Sequence, residues 1–297
     1  MAKLKAKQPE EAKARKPIIL VYGAAGAGKT WACLEWAKPY FVDTEGGASR
    51  PQYLAKLKAS GGVYMGPDEG ASDLEVVIEQ VQALATSKHP YLNVVIDSAS
   101  KAFNTAVAIR ADEMQDAGKD LDKTFGAEKK GAIRGMRRLV RWLEKADMGA
   151  VLVCHERSLW KDGKEIGSTF DCWDKLSYEL DLVLQISKQG PGRKAKVMKT
   201  RIEGFPENDV FDWNYATFAK KYGMDTMERA PELVTLATTE QVGVITSLLK
   251  LVRVEDDWIY KCFEKAGVEE WSEMDSNQIS KCIDYLTNKL PKTSAVA

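Results

Sequence analysis

"PIILVYGAAGAGKTWACLEWAK", residues 17–38, decides how the rest of the chain is read. Its first seven residues are rich in β-branched and aliphatic side chains, as a buried strand requires. A glycine loop follows at once, and "KTWACLEWAK" has the composition of a helix. Between strand and helix, "GAAGAGKT" fits GxxxxGK(S/T), so pattern and context agree on a phosphate-binding loop. Glycines let backbone N–H groups curl around an anion, and a helix N-terminus adds a favourable dipole. Gly23, Ala24, Ala25, Gly26, Ala27, Gly28, Lys29 and Thr30 are therefore expected to hold ATP. Lys29 would reach the β- and γ-phosphates, and the Thr30 hydroxyl would ligate Mg²⁺.

Outward from this loop, strand and helix patterns alternate. "PYFVD" and "YLNVVIDS" read as strands, with the helix "SDLEVVIEQVQALATS" between them, capped by Ser72. Helical stretches at about 99–115 and 127–146 precede a fourth strand, "GAVLVCHE". "LDLVLQIS" and "KAKVMKTR" read as a hairpin around "KQGPGR". Such alternation indicates an α/β domain with a largely parallel central sheet. The expected organisation is a flexible basic tail (1–16), this core (17–230), a C-terminal three-helix module (231–290) and a short tail (291–297).

Composition excludes several classes. No run of about 18 apolar residues is present, so no membrane span is expected. The charged N-terminus lacks the apolar segment of a secretory signal, and the cytoplasm is the expected location. Five widely spaced cysteines without a CxxC pair fit reduced thiols, and two histidines make a His-based metal centre unexpected. Net charge is zero, but its distribution is uneven. Residues 119–138 carry seven bases and three acids, residues 188–201 six bases and no acid, and residues 240–289 ten acids and six bases. Two basic segments in one domain raise the prospect of a nucleic-acid partner.

Two further elements carry chemistry. "NVVIDS" places Asp97 at the end of a buried strand, where a carboxylate can hold the magnesium shell beside the P-loop. "FVDTEGG" ends another strand with Asp43 and Glu45. On a strand neighbouring that of the P-loop, Glu45 could polarise a water for in-line attack on the γ-phosphate, with Asp43 supporting the loop. No guanine-reading NKxD is present, which argues against a Ras-type GTPase. A small-molecule kinase, a hexameric helicase-like motor and a non-catalytic ATP-gated adaptor remain alternatives.

"YFVDTEGGASRPQYL" resembles the "IDTEG…RPERL" segment of RadA-type recombinases and its bacterial RecA counterpart. "NVVIDSAS" is similar to that family's Walker B strand, and "AVLVCHE" lies where the family has a strand ending in a γ-phosphate sensor. The sensor is usually glutamine; here it is His155. "KAKVMKTRIEGFP" resembles the hairpin whose two cations reach a neighbouring subunit's ATP, which maps to Lys199 and Arg201. The short core with a small helical appendix looks most like phage-encoded, AAA_24-type RecA-like ATPases. The resemblance implies a RecA-like core, a catalytic set of Glu45, Lys29, His155, Lys199 and Arg201, and assembly into a ring or filament. It also implies recombination or annealing on single-stranded DNA beside a single-stranded-DNA-binding protein. In such cores, loops after the Walker B helix and after the sensor strand line the DNA path. Here these would be about residues 115–134, including Lys129 and Lys130, and 157–174, with Arg157, Trp160, Lys161 and Lys164. Trp160 would either stack on an unpaired base or pack under its own loop.

Overall fold

Residues 18–23 are buried without exception, because β1 (Ile18–Gly23) lies inside a sheet covered on both faces. Ile18, Leu20 and Tyr22 enter one apolar cluster and Ile19 and Val21 the other, as the two-residue period of a strand dictates. In the computed structural model, which describes residues 14–290, nine strands form one sheet. Eight follow the order β3 (Val63–Met65), β2 (Pro39–Asp43), β4 (Asn93–Asp97), β5 (Gly149–Lys161), β1, β7 (Leu182–Gln189), β8 (Gly192–Thr200) and β9 (Val210–Asp212), and the ninth, β6 (Lys164–Asp171), pairs antiparallel with the far end of β5. The first six in this order run parallel, and β8 and β9 add antiparallel pairs. The α/β reading with a largely parallel sheet stands.

One face of the sheet carries α3 (Leu74–Thr86), α4 (Ala99–Asp116) and α5 (Lys129–Lys145). The other carries α1 (Lys29–Cys33), α2 (Pro51–Ala59), α7 (Tyr215–Tyr222) and α8 (Met224–Glu228), around Trp36, Trp213 and Phe218. A short α6 (Leu176–Glu179) precedes β7. Three details differ from the sequence reading. The helix after the P-loop ends at Cys33, since Trp36 turns into the aromatic cluster. The cap of α3 is Asp73, whose carboxylate accepts from the Glu75 amide. Lys16, assigned to the tail, is buried and donates to the carbonyls of Leu92 and Arg229; burial lowers its pKa to about 8. Residues 1–13 of that tail, and 291–297, lie outside the described residues.

Past residue 230 the chain crosses the core in extended form, then forms α9 (Thr239–Leu251), α10 (Trp258–Ala266) and α11 (Ser276–Thr287) around their own apolar cluster. A Thr238/Gln241 capping box starts α9. All five cysteines are free. Among the described residues no helix is long and apolar enough to cross a membrane.

Candidate active site

The C-terminal ends of β1 and β4, the middle of β5 at His155 and the turn after β2 converge on one point. Register fixes this: Gly23 lies opposite His155, Asp97 opposite Val153, and Asp43 opposite Asp97. This corrects one expectation. β2 is not the neighbour of the P-loop strand; β5 and β4 lie between them. Glu45 reaches the site because it sits two residues past β2, where the chain bends back over β4.

In the P-loop, Gly26 and Gly28 take left-handed φ of 78° and 85°, a region that costs other residues energy. Gly28 has a second constraint, since a Cβ there would lie 2.0 Å from Arg193 Nε. Arg193, early in β8, thus lies across the loop, and its buried Nε has no hydrogen-bond partner among the described residues. The Lys29 ammonium donates to the carbonyls of Gly23 (2.6 Å) and Ala24 (3.1 Å). A cavity of about 640 Å³ opens beside the loop, walled by Gly23, Lys29 and His155 and by Glu165 and Ser168 of β6 (Lys164–Asp171).

The Thr30 hydroxyl lies close enough to the buried Asp97 carboxyl to favour its charged form. Burial pushes the Asp97 pKa up to about 6, and the nearby Asp43 and Glu45 add to this, against the Thr30 hydroxyl and the Lys29 charge. A buried carboxyl so placed is short of positive charge, and a hydroxyl and a carboxylate side by side are the hard oxygen donors that Mg²⁺ takes with phosphate oxygens and water. Among the described residues no group of three or more His, Cys, Asp or Glu could hold a metal by itself. The donor set therefore fits a magnesium ion shared with a nucleotide.

Asp43 and Glu45, alike in the sequence, have different surroundings. Asp43 is buried and saturated: its carboxylate accepts from the amides of Glu45, Gly46 and Ala48 and from the Tyr64 hydroxyl. It is the post around which the loop turns. Glu45 is partly exposed, and its Oε1 lies 2.7 Å from His155 Nε2 and accepts from Ser98 Oγ at 2.5 Å. Ser98 is tied in turn to Thr44, through its amide to the Thr44 hydroxyl (2.8 Å) and through its carbonyl from that hydroxyl (3.0 Å).

Lys199 and Arg201 lie elsewhere. β8 runs antiparallel to β7, so Thr200 pairs with Leu182 at the end of the sheet opposite the P-loop. Lys199 donates to the Leu180 carbonyl and Arg201 to that of Tyr178. Burial and the adjacent Arg201 hold the Lys199 pKa below its usual range. Neither cation reaches the P-loop of its own chain.

The segment expected as a loop after the sensor strand is a β-hairpin. β5 continues past His155 to Lys161 and β6 returns antiparallel, with Asp162 and Gly163 at φ 51° and 73° in the turn. The "DG" dipeptide was the available signal. Trp160 is 65% exposed, which excludes its packing under the hairpin, and Lys161 pairs with Lys164 at the tip. Arg157 is ion-paired with Asp174. Lys129 and Lys130 open α5, fully on the surface. Between α4 and α5, Phe125 is 99% exposed with φ 50°. Sequence reading passed over Phe125, Arg193 and Ser98. Ser98 is recognisable as a helix cap, but its contact with Glu45, 53 residues away, exists only through the fold.

A family model described as "AAA domain" matches residues 15–204, well over half the chain. The chain belongs to that AAA domain family. Its resemblance to RecA-like P-loop ATPases agrees with this match and with the parallel sheet built on β1. Solved structures similar to the AAA chain include the RadB recombinase, with 18% identity and a TM-score of 0.44 over 67% of this chain and 87% of that one. Another is an ATPase from the type III secretion system of pathogenic bacteria, with 12% identity and a TM-score of 0.38 over 93% of this chain and 82% of that one. A comparison with curated protein sequences returned no match.

Proposed function

We infer that this AAA protein hydrolyses ATP with Glu45 as the water-orienting base, and does so in an assembly on single-stranded DNA. The observation that carries the hydrolytic reading is the Glu45–His155–Ser98 cluster. It holds a partly exposed carboxylate at a fixed point beside the P-loop and the Thr30–Asp97 pair. An attacking water needs such an acceptor, preset in position and open on one side. Magnesium held by Thr30 and Asp97 would neutralise charge on the β- and γ-phosphates. Lys29 exchanges its loop carbonyls for phosphate oxygens. His155 faces the same cavity, so a γ-phosphate there competes with Glu45 for its Nε2–H, which is how it would sense the nucleotide.

Lys199 and Arg201 act on a neighbouring subunit's nucleotide, since their place at the far end of the sheet leaves no role in their own site. They would stabilise charge on the transferring phosphoryl group. This makes the functional unit a homo-oligomer, a ring or filament. The hairpin tip, with exposed Trp160 between cations, and the Phe125 segment with Lys129 and Lys130 form the DNA surface, by stacking and phosphate neutralisation. Recombination or annealing beside a single-stranded-DNA-binding protein is the role that the family resemblance supports.

The test is ATP turnover with and without single-stranded DNA, for wild type and Glu45→Gln. The expected result is slow turnover alone, stimulation by DNA, and a loss of about 10²–10⁴-fold in the variant with nucleotide still bound. Equal turnover of the two proteins would remove Glu45 from catalysis. Turnover indifferent to DNA would remove the DNA reading.

A further inference from the structure

Helix α5 has two faces of opposite character. Ala132, Met136, Leu139, Val140 and Leu143 are buried against the sheet side. Arg134, Arg137, Arg138 and Arg141, spaced three and four apart, form one outer row. The acidic C-terminal module sits against this row. Arg138, only 16% exposed, is paired with Glu75 (2.7 Å), Glu273 (3.4 Å) and Glu269 (3.8 Å), and Arg134 Nε with Glu269 at 2.7 Å. Those two arginines fasten the module to the core.

The other two have no such duty. Among the described residues neither Arg137 nor Arg141 has a carboxylate within ion-pair distance. Arg137 lies over the Trp173 ring at 4.9 Å, which leaves its guanidinium edge free, and Arg141 runs alongside Gly267. Both face a cavity of about 490 Å³ in the seam, whose lining holds all four arginines against Glu264 and Glu269. Tyr260, also in the lining, is 68% exposed. Two guanidinium groups outside any close ion pair, Arg141 with only the longer-range pull of Glu144, beside an exposed aromatic ring suit phosphate and base together.

We propose that this seam is a second binding site for the phosphodiester backbone of single-stranded DNA. Arg137 and Arg141 contact successive phosphates, and Tyr260 offers its ring to a base. This rests on the DNA reading above, and continuity favours this occupant. Arg137 stacks on Trp173, next to Asp174, which pairs with Arg157 at the root of the β5–β6 hairpin. Along α5, the twelve residues from Lys130 to Arg141 span roughly 16 Å, enough for several phosphates in a row. A strand leaving the hairpin would therefore meet the arginine row before the module.

The test is equilibrium binding of a fluorescent oligothymidine by the full chain across salt concentrations. It compares wild type, the hairpin variant Trp160→Ala, the double variant Arg137→Gln/Arg141→Gln, and Tyr260→Ala as a variant on a separate helix. Loss of two phosphate contacts should lower the salt slope by about 1.4, at roughly 0.7 per contact for single strands. Tyr260→Ala should weaken binding roughly tenfold with the slope unchanged. If wild type and Trp160→Ala bind alike and the salt slope of wild type is near zero, the DNA reading and this site fall together. If Trp160→Ala weakens binding but the double variant and Tyr260→Ala match wild type, this site alone is wrong. A double variant that loses affinity for inorganic tripolyphosphate, with DNA affinity kept, would make the seam a small-anion site and overturn the assignment.

Discussion

Replacing Asp97 by asparagine removes one charge and keeps the shape of the side chain, including an oxygen for the Thr30 hydroxyl. In the folded protein burial raises the Asp97 pKa from 3.8 to about 6. A group whose pKa is raised by folding favours the fold in its protonated form. That contribution is complete below about pH 4 and is lost as pH rises through 6. Above pH 6 the nucleotide-free protein carries a buried carboxylate at a cost of roughly 3 kcal/mol, the free-energy equivalent of the interval between 3.8 and about 6. Asp97→Asn avoids that cost. Thermal denaturation at pH 8 in chelator should show the variant as the more stable protein, by up to about 5–10 °C for a chain of this size. At pH 4.5 folded Asp97 is mostly protonated and the gap between the two melting temperatures should shrink to roughly a third; it should close only below about pH 4, where the unfolded carboxyl is protonated too. With Mg²⁺ and ATP the order should reverse, because only the carboxylate repays its burial by holding the ion. A variant less stable than wild type at pH 8, or a difference that ignores pH, would refute the claim that Asp97 is a charge-starved ligand.

Other consequences are as direct. Arg193→Ala should weaken nucleotide binding about tenfold, measured by titration with a fluorescent ATP analogue, because a charge-assisted contact contributes about 1.5–3 kcal/mol; an unchanged affinity would mean that Arg193 only packs on Gly28. His155→Gln should keep more turnover than His155→Ala, since an amide can still donate to Glu45; equal losses would contradict the positioning role. Mixing Lys199→Ala with Glu45→Gln subunits should restore some turnover, each variant lending the group the other lacks, and no recovery at any ratio would count against action in trans. Arg138→Met should lower urea stability by about 3 kcal/mol, because it leaves Glu273, 10% exposed, without its cation; a change below 1 kcal/mol would show that the seam does not depend on that cluster.

The fold was legible because its strands are buried on both faces and interrupted by a P-loop. "PIILVYG" and "NVVIDS" have no polar alternation to confuse with an exposed strand, and glycines at 26 and 28 mark a loop for which few other uses exist. The candidate site was legible as a set of residue types. Lys29, Thr30 and Asp97 are named by local pattern, and Glu45 by its place at a strand end. Their relation was not legible. Strand order is a tertiary property, and sequence reading set β2 beside β1, although two strands separate them.

The sequence by itself determined which side chains can bind phosphate, magnesium and water, since that follows from chemistry and spacing within each segment. Tertiary structure alone decided how they are used. It buried Asp43 under four donors and left Glu45 partly exposed against His155, so that one carboxylate became a support and the other a candidate base. It carried Lys199 and Arg201 to the far end of the sheet, laid Arg193 across the P-loop, and set the arginine row of α5 against the module. Contacts between residues tens of positions apart depend on register and packing, and no local pattern encodes them.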